Sequence, residues 1–259
     1  ANTITPDKPE VCFNTLPNPI TGSPLTGGAG GTPLWIWQDS TAGNLWTNIA
    51  GGTSQSFTHT SNLIKQTWYR RIIKSGPADC CIDTSAVAVI DTLKLPTATI
   101  TSVTDTTICN GSEVKLRVTL TGAKNWNLVY NENSTAVAEN NISAGKYTIT
   151  RIPSVSSSLE TFNYSLASLT DANGCAAVIA GLNGTRKAIV YRVPVTEAGP
   201  DDEICGPLYT LKAVPSDGTG IWTFPSQVLS GDASLYNATI AVDSSFTTAN
   251  ESYKFYWTE

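Results

Sequence analysis

The chain has no methionine, one histidine (His59) and only 14% charged residues across 259 positions. It also lacks an 18-residue apolar run, a Cys-x-x-Cys pair and any long stretch with helical periodicity. Each absence excludes something. Without the apolar run, no segment reads as a membrane-spanning helix. With one His and no Cys-x-x-Cys, a zinc centre lacks ligands, and the adjacent Cys80-Cys81 is not ligand spacing, so no metal or cofactor is expected. A Ser–His–Asp or Cys–His site would have to use His59, which sits in a polar Thr-His-Thr-Ser stretch with no Gly-x-Ser-x-Gly elbow in the chain. His59 is therefore expected to be an ordinary exposed histidine, and the chain is not expected to be an enzyme. A formal net charge of -5 argues against nucleic acid, because phosphate binding needs a basic surface. The lack of Met, even at position 1, predicts a processed product or excised fragment, with any targeting signal outside it.

What is present is β-forming. Hydrophobic residues make up 41% of the chain, enough for packed cores. Apolar and polar residues alternate in short runs cut by Gly, Asn, Asp and Ser, which predicts strands closed by turns. In residues 1–94 these runs are Val11–Phe13, the run from Trp35, Leu45–Ile49, Thr67–Ile73 and Ser85–Ile90. The glycine-rich Thr26–Pro33 precedes a strand and has no following Lys-Ser/Thr, so it predicts a loop and not a phosphate cradle. Pro96 marks a boundary. Residues 95–194 carry candidate strands at Thr99–Val103, Glu113–Leu120, Asn125–Tyr130, Lys146–Arg151, Thr161–Leu169 and Ala188–Val193. Residues 195–259 add Tyr209–Val214, Ile221–Phe224 and Tyr253–Trp257, but are shorter than the ~100 residues of a full sandwich. A lone hairpin cannot bury its aromatics, so the expected fold is all-β, with tandem β-sandwich domains at 1–94 and 95–194 and a partial one at 195–259.

Six cysteines without metal partners point to an oxidising compartment. Cys109 and Cys175 each flank a strand end in the same expected domain, so they are expected to pair. Cys80 has no assigned partner, and Cys205 is expected to pair outside this stretch. Asp201-Asp202-Glu203 lacks calcium-loop spacing and reads as a solvated turn. Arg70-Arg71 beside Trp68-Tyr69 could form an exposed sugar-binding patch, but one Arg packing its stem on the sheet is the preferred reading.

The run Trp37-x-x-Ser40, Trp46-Thr47-Asn48-Ile49-Ala50-Gly51, Ser54-Gln55-Ser56-Phe57, Thr67-x-Tyr69-Arg70-Arg71, Ser75-Gly76 and Cys81-x-Asp83-Thr84-Ser85, with Cys12, resembles an immunoglobulin-like repeat of giant surface and secreted proteins in gliding and related Bacteroidota. Ile108-Cys109-Asn110-Gly111, Asp171-Ala172-Asn173-Gly174-Cys175 and Ala198-Gly199-Pro200-Asp201 resemble repeats of the same proteins through shorter motifs. The resemblance implies tandem immunoglobulin-like β-sandwiches, export by type IX secretion and a structural or adhesive role at the cell surface. Cys81 fits the repeat's Cys-x-Asp-Thr-Ser and shares parity with Asp83, Ser85, Val87 and Val89, so Cys12–Cys81 is the expected second disulfide. A Bacteroidota source also implies O-glycosylation at Asp-Ser/Thr motifs, which would fall on Ser40, Thr92 and Thr106. The expected function is an extracellular, disulfide-stapled stalk or binding repeat. Its expected partners are neighbouring repeats and, beyond them, surface glycans or other cell-surface proteins. A filament subunit assembled by strand exchange and an accessory carbohydrate-binding module are the alternatives.

Overall fold

The computed structural model describes residues 2–27, 32–101, 105–243 and 252–259. Among them every extended regular element is a strand, and the only helical pieces are single 3-10 turns at Pro77–Asp79 and Ile179–Gly181. The first nine strands are β1 (Ile4–Pro6), β2 (Glu10–Cys12), β3 (Ile20–Gly22), β4 (Leu34–Ser40), β5 (Thr47–Asn48), β6 (Thr67–Ser75), β7 (Cys81–Thr84), β8 (Ala88–Leu93) and β9 (Ala98–Ile100). There follow β10 (Thr106–Cys109), β11 (Val114–Leu120), β12 (Trp126–Glu132), β13 (Thr135–Ile142), β14 (Lys146–Arg151), β15 (Leu159–Thr170), β16 (Leu182–Asn183) and β17 (Thr185–Tyr191). The last five are β18 (Leu208–Thr210), β19 (Ile221–Thr223), β20 (Val228–Ser230), β21 (Thr239–Val242) and β22 (Tyr256–Thr258). Residues 28–31 of the glycine-rich loop and the expected strand end at Val103 lie outside the described residues.

The chain forms two compact units. The first comprises Ala1–Ser102, Arg117–Thr148 and Tyr164–Thr185, and the second Val103–Leu116, Ile149–Asn163 and Arg186–Glu259. In the first unit one sheet runs β2-β8-β6-β4-β5, with β7 also paired to β6. Strand β6 alternates strictly, turning Thr67, Tyr69, Arg71, Ile73 and Ser75 inward. A second layer, β1 paired with β3, supplies Ile20, and the bridge Ile20↔Phe57 adds Phe57. Ile20 and Phe57 pack with Trp37, Tyr69 and Ile90 into one core, closing a sandwich. The same unit holds β12 between β13 and β15, and β9 between β11 and β16. Trp126, Leu128, Tyr130 and Leu169 are buried there. Strand β13 was not expected from the sequence. Its Ala-Glu-Asn-Asn run lacks apolar alternation, and its pairing to β12 through a turn at Asn133 (φ 54°) defines it.

In the second unit β10 and β17 pair in parallel, β21 lies between β18 and β20, and β19 pairs with β22. Leu211, Ala213, Trp222, Ala238, Ile240 and Trp257 form its buried core. The Trp222 and Trp257 rings sit 5.3 Å apart.

Candidate functional site

The covalent link differs from both expected pairings: Cys12 is bonded to Cys175, with 5.5 Å between their Cα atoms and 163 residues of sequence separation. Cys80, Cys81, Cys109 and Cys205 are free and exposed. The local structure explains the correction. Cys12 ends β2 beside Leu93 of β8, three residues before Pro96. Cys175 ends a tight turn organised by Asp171. This buried carboxylate accepts from the Asn173 and Cys175 amides at 3.0 Å with Oδ1, and from the Ala123 amide at 3.1 Å with Oδ2. Gly174 takes φ 79° to complete that turn. The parity argument for Cys81 fails because the strand breaks after Thr84. Ala88 and Ile90 then face inward, and all of β7 is exposed. Cys109, expected to meet Cys175, instead ends β10 beside Tyr191. The Cys80 and Cys81 sulfurs lie 3.7 Å apart, and this contact holds the Cys80 thiol above its ordinary pKa.

Arg71 is the other organising group. It is fully buried, and its guanidinium sits 4.7 Å from the Trp35 ring and 5.8 Å from that of Trp37. Nε donates to Asn2 Oδ1 at 2.9 Å and Nη1 to the Gln55 carbonyl at 2.5 Å, while Nη2 donates to the Ser23 carbonyl at 3.1 Å. Asn2 returns a bond to the Arg71 carbonyl at 2.9 Å. One side chain thus ties the N-terminal strand, the β3 end and the Gln55 loop to β6. A Cβ on Gly22 would collide with Arg71 Nη1 and the Gln55 carbonyl, so this close approach needs glycine. Burial lowers the Arg71 pKa, and Asp83 opposes the shift. Arg70 faces outward, 4.3 Å from the Trp46 ring, with Nε donating to Gln38 Oε1 at 2.7 Å. The Arg-Arg pair is therefore one structural and one surface residue, and the sequence carried no signal for the Asn2, Gln55 and Ser23 acceptors.

His59 is not exposed, correcting the sequence expectation. It is 5% accessible and packs edge-on against Phe57 at 4.9 Å and Tyr69 at 5.2 Å. Burial pushes its pKa below the ordinary value, with a backbone hydrogen bond at Asn18 opposing. An imidazole sealed among aromatic rings cannot reach a substrate. Asp202 pairs with Lys212 at 3.1 Å, and no cluster of three or more metal-ligating side chains occurs among the described residues. Of the sites implied for glycosylation, Ser40 is buried, with its Oγ accepting from the Ala42 amide at 3.2 Å, which closes it to an enzyme. Thr92 and Thr106 are half-buried. Among the described residues no helix is long and apolar enough to cross a membrane.

Known structures place this architecture among immunoglobulin-like folds. The chain is similar to a titin I-band fragment, I67–I69, with a TM-score of 0.50 at 10% identity, covering 94% of this chain and 88% of that one. It also matches a Ca2+-stabilized adhesin from an Antarctic bacterium, with a TM-score of 0.38 at 11% identity over 94% of this chain and 65% of that one. Fibronectin(III)-like modules of Clostridium thermocellum CbhA match with a TM-score of 0.36 at 11% identity, over 73% and 95% of the respective chains. A family model described as a domain of unknown function (DUF8696) matches residues 1–94. No curated protein matches. The fold is all-β and immunoglobulin-like.

Proposed function

We propose that this chain is a structural and adhesive segment of a modular protein at the bacterial cell surface or secreted from it, built from sandwiches at 1–94 and 95–194 and a partial one at 195–259. The Cys12–Cys175 bond carries the reading: it joins residues 163 positions apart and turns consecutive strand-built segments into one covalently braced body. Such a bond persists outside the reducing cytosol. The buried interior supports the same role, because its polar centre, Arg71, is spent on holding strands together. The sequence resemblance to repeats of gliding Bacteroidota supports export by type IX secretion, and neighbouring repeats and surface glycans or proteins as partners. Thr92 and Thr106 are the O-glycan positions that fit this reading.

Surface labelling of intact cells tests the location. A membrane-impermeant amine reagent should modify exposed lysines of this protein, such as Lys115, before lysis. Modification only after lysis overturns the reading.

A further inference from the structure

Two local structures occur twice in this chain, and each holds a cysteine. The first is a strand that runs parallel to a partner and ends in a cysteine. Cys12 lies opposite Leu93, and Cys109 lies opposite Tyr191. The next amide donates to that partner's carbonyl in both, Phe13 to Leu93 at 2.9 Å and Asn110 to Tyr191 at 2.7 Å. The third residue on then turns back, Thr15 to the Cys12 carbonyl at 3.1 Å and Ser112 to the Cys109 carbonyl at 3.0 Å. The residue two after the cysteine has positive φ in each, Asn14 at 58° and Gly111 at 86°. A proline stands three positions beyond each partner, Pro96 and Pro194.

The second is a hairpin that returns from a long strand. Its closing pairs are Ser75↔Cys81 and Thr170↔Ala176, so both loops have the same length and both end in a cysteine, Cys80 and Cys175. A buried tyrosine lies six positions before each closing pair, Tyr69 and Tyr164. By register Cys80, not Cys81, is the counterpart of Cys175. The existing disulfide joins the first copy of the strand-end structure to the second copy of the hairpin. The remaining members, Cys109 and Cys80, are both free and exposed in this chain.

We infer that Cys109 and Cys80 are halves of two further staples of the same kind. Cys109 is the strand-end half and mates with the hairpin cysteine of the sandwich that follows its own. A buried tryptophan on the neighbouring strand marks the returning strand three times: Trp37 on β4 beside β6, Trp126 on β12 beside β15, and Trp222 on β19 beside β22. The third hairpin is thus the one that β22 enters. Cys80 is the hairpin half and mates with the strand-end cysteine of a sandwich that precedes its own. The result is a ladder in which each sandwich is bonded to the next, so that tension is carried by side-chain bonds as well as by the linkers. The oxidant is a disulfide-carrying thiol oxidoreductase or small-molecule disulfide. One thiolate attacks its sulfur–sulfur bond and releases one thiol. The mating thiolate then displaces the second, so two protein thiols are oxidised and one disulfide is reduced.

The inference rests on the modular, extracellular reading above and is separable from it. Native full-length protein, alkylated without reductant and digested, should yield Cys80 and Cys109 peptides only as disulfides to peptides outside residues 1–259. Each should become alkylatable after reduction, and Cys12–Cys175 should be recovered as an internal control. Alkylation of Cys109 or Cys80 before reduction overturns the ladder, as does a bond from either to any cysteine within residues 1–259. A surface-labelled protein with a free Cys109 removes the ladder and leaves the surface role standing. A protein labelled only after lysis removes the surface role itself.

Discussion

Arg71 shows how one residue can set a fold's interior. Alternation along Thr-Trp-Tyr-Arg-Arg-Ile-Ile assigns one arginine inward by parity alone, since neighbouring strand residues face opposite sides. A buried guanidinium without acceptors is costly, so the surrounding backbone must supply them. Gln55, Ser23 and Asn2 do so, from segments far apart in sequence. Replacing Arg71 with Met keeps the apolar stem over Trp35 but strands these acceptors. Arg71→Met should therefore destabilise the protein by about 3 kcal/mol, measured by chemical denaturation. A loss below about 1 kcal/mol would show that the network contributes little. His59 teaches the converse: a polar neighbourhood in sequence predicted exposure, yet the side chain turns against Phe57 and Tyr69.

Among the elements, strong alternation identified most strands, because a half-buried strand writes its period of two into the residue pattern. Val114, Leu116, Val118 and Leu120 of β11 all face inward, as that pattern requires. Strands β1, β3 and β13 were not legible, because long-range pairing defines them and not their own composition. The end of β22 carries a polar clamp that was equally invisible. The Glu259 carboxylate accepts from Trp257 Nε1 at 3.0 Å, from the Ser216 amide at 3.0 Å and hydroxyl at 2.9 Å, and from the Asp217 amide at 3.2 Å. These donors, the Trp257 indole first, hold its pKa at about 2, below its ordinary 4.5. The unfolded chain binds the proton more readily in that interval. The clamp's contribution is therefore complete above pH 4.5 and is lost as pH falls toward about 2. Tryptophan fluorescence of the β19–β22 pair should report this loosening on acid titration. Glu259→Gln should flatten the change over that window, and an unaltered titration would remove the clamp from the account.

For the molecule as a whole, the Cys12–Cys175 bond is the decisive constraint. In the chain-entropy account a cross-link enclosing 163 residues stabilises by about 5 kcal/mol. The double variant Cys12→Ser/Cys175→Ser should lower the thermal midpoint of the first unit and sensitise it to proteolysis. It should not change the secondary structure, since every strand keeps its backbone ladder. Full retention of the midpoint would show that packing alone holds the unit together.

The sequence by itself determined the strand-rich character and the alternating faces of strands such as β6 and β11. These follow from local alternation and residue chemistry, which each segment carries within itself. It did not determine which cysteines meet. Cys81 and Cys109 were each plausible partners within a single domain, and only the tertiary structure set Cys12 against Cys175. The physical reason is that disulfide pairing depends on distances between segments remote in sequence, whereas strand identity depends on neighbours two residues apart. The same holds for Arg71, whose inward parity is local but whose acceptors exist only once the chain has folded around it.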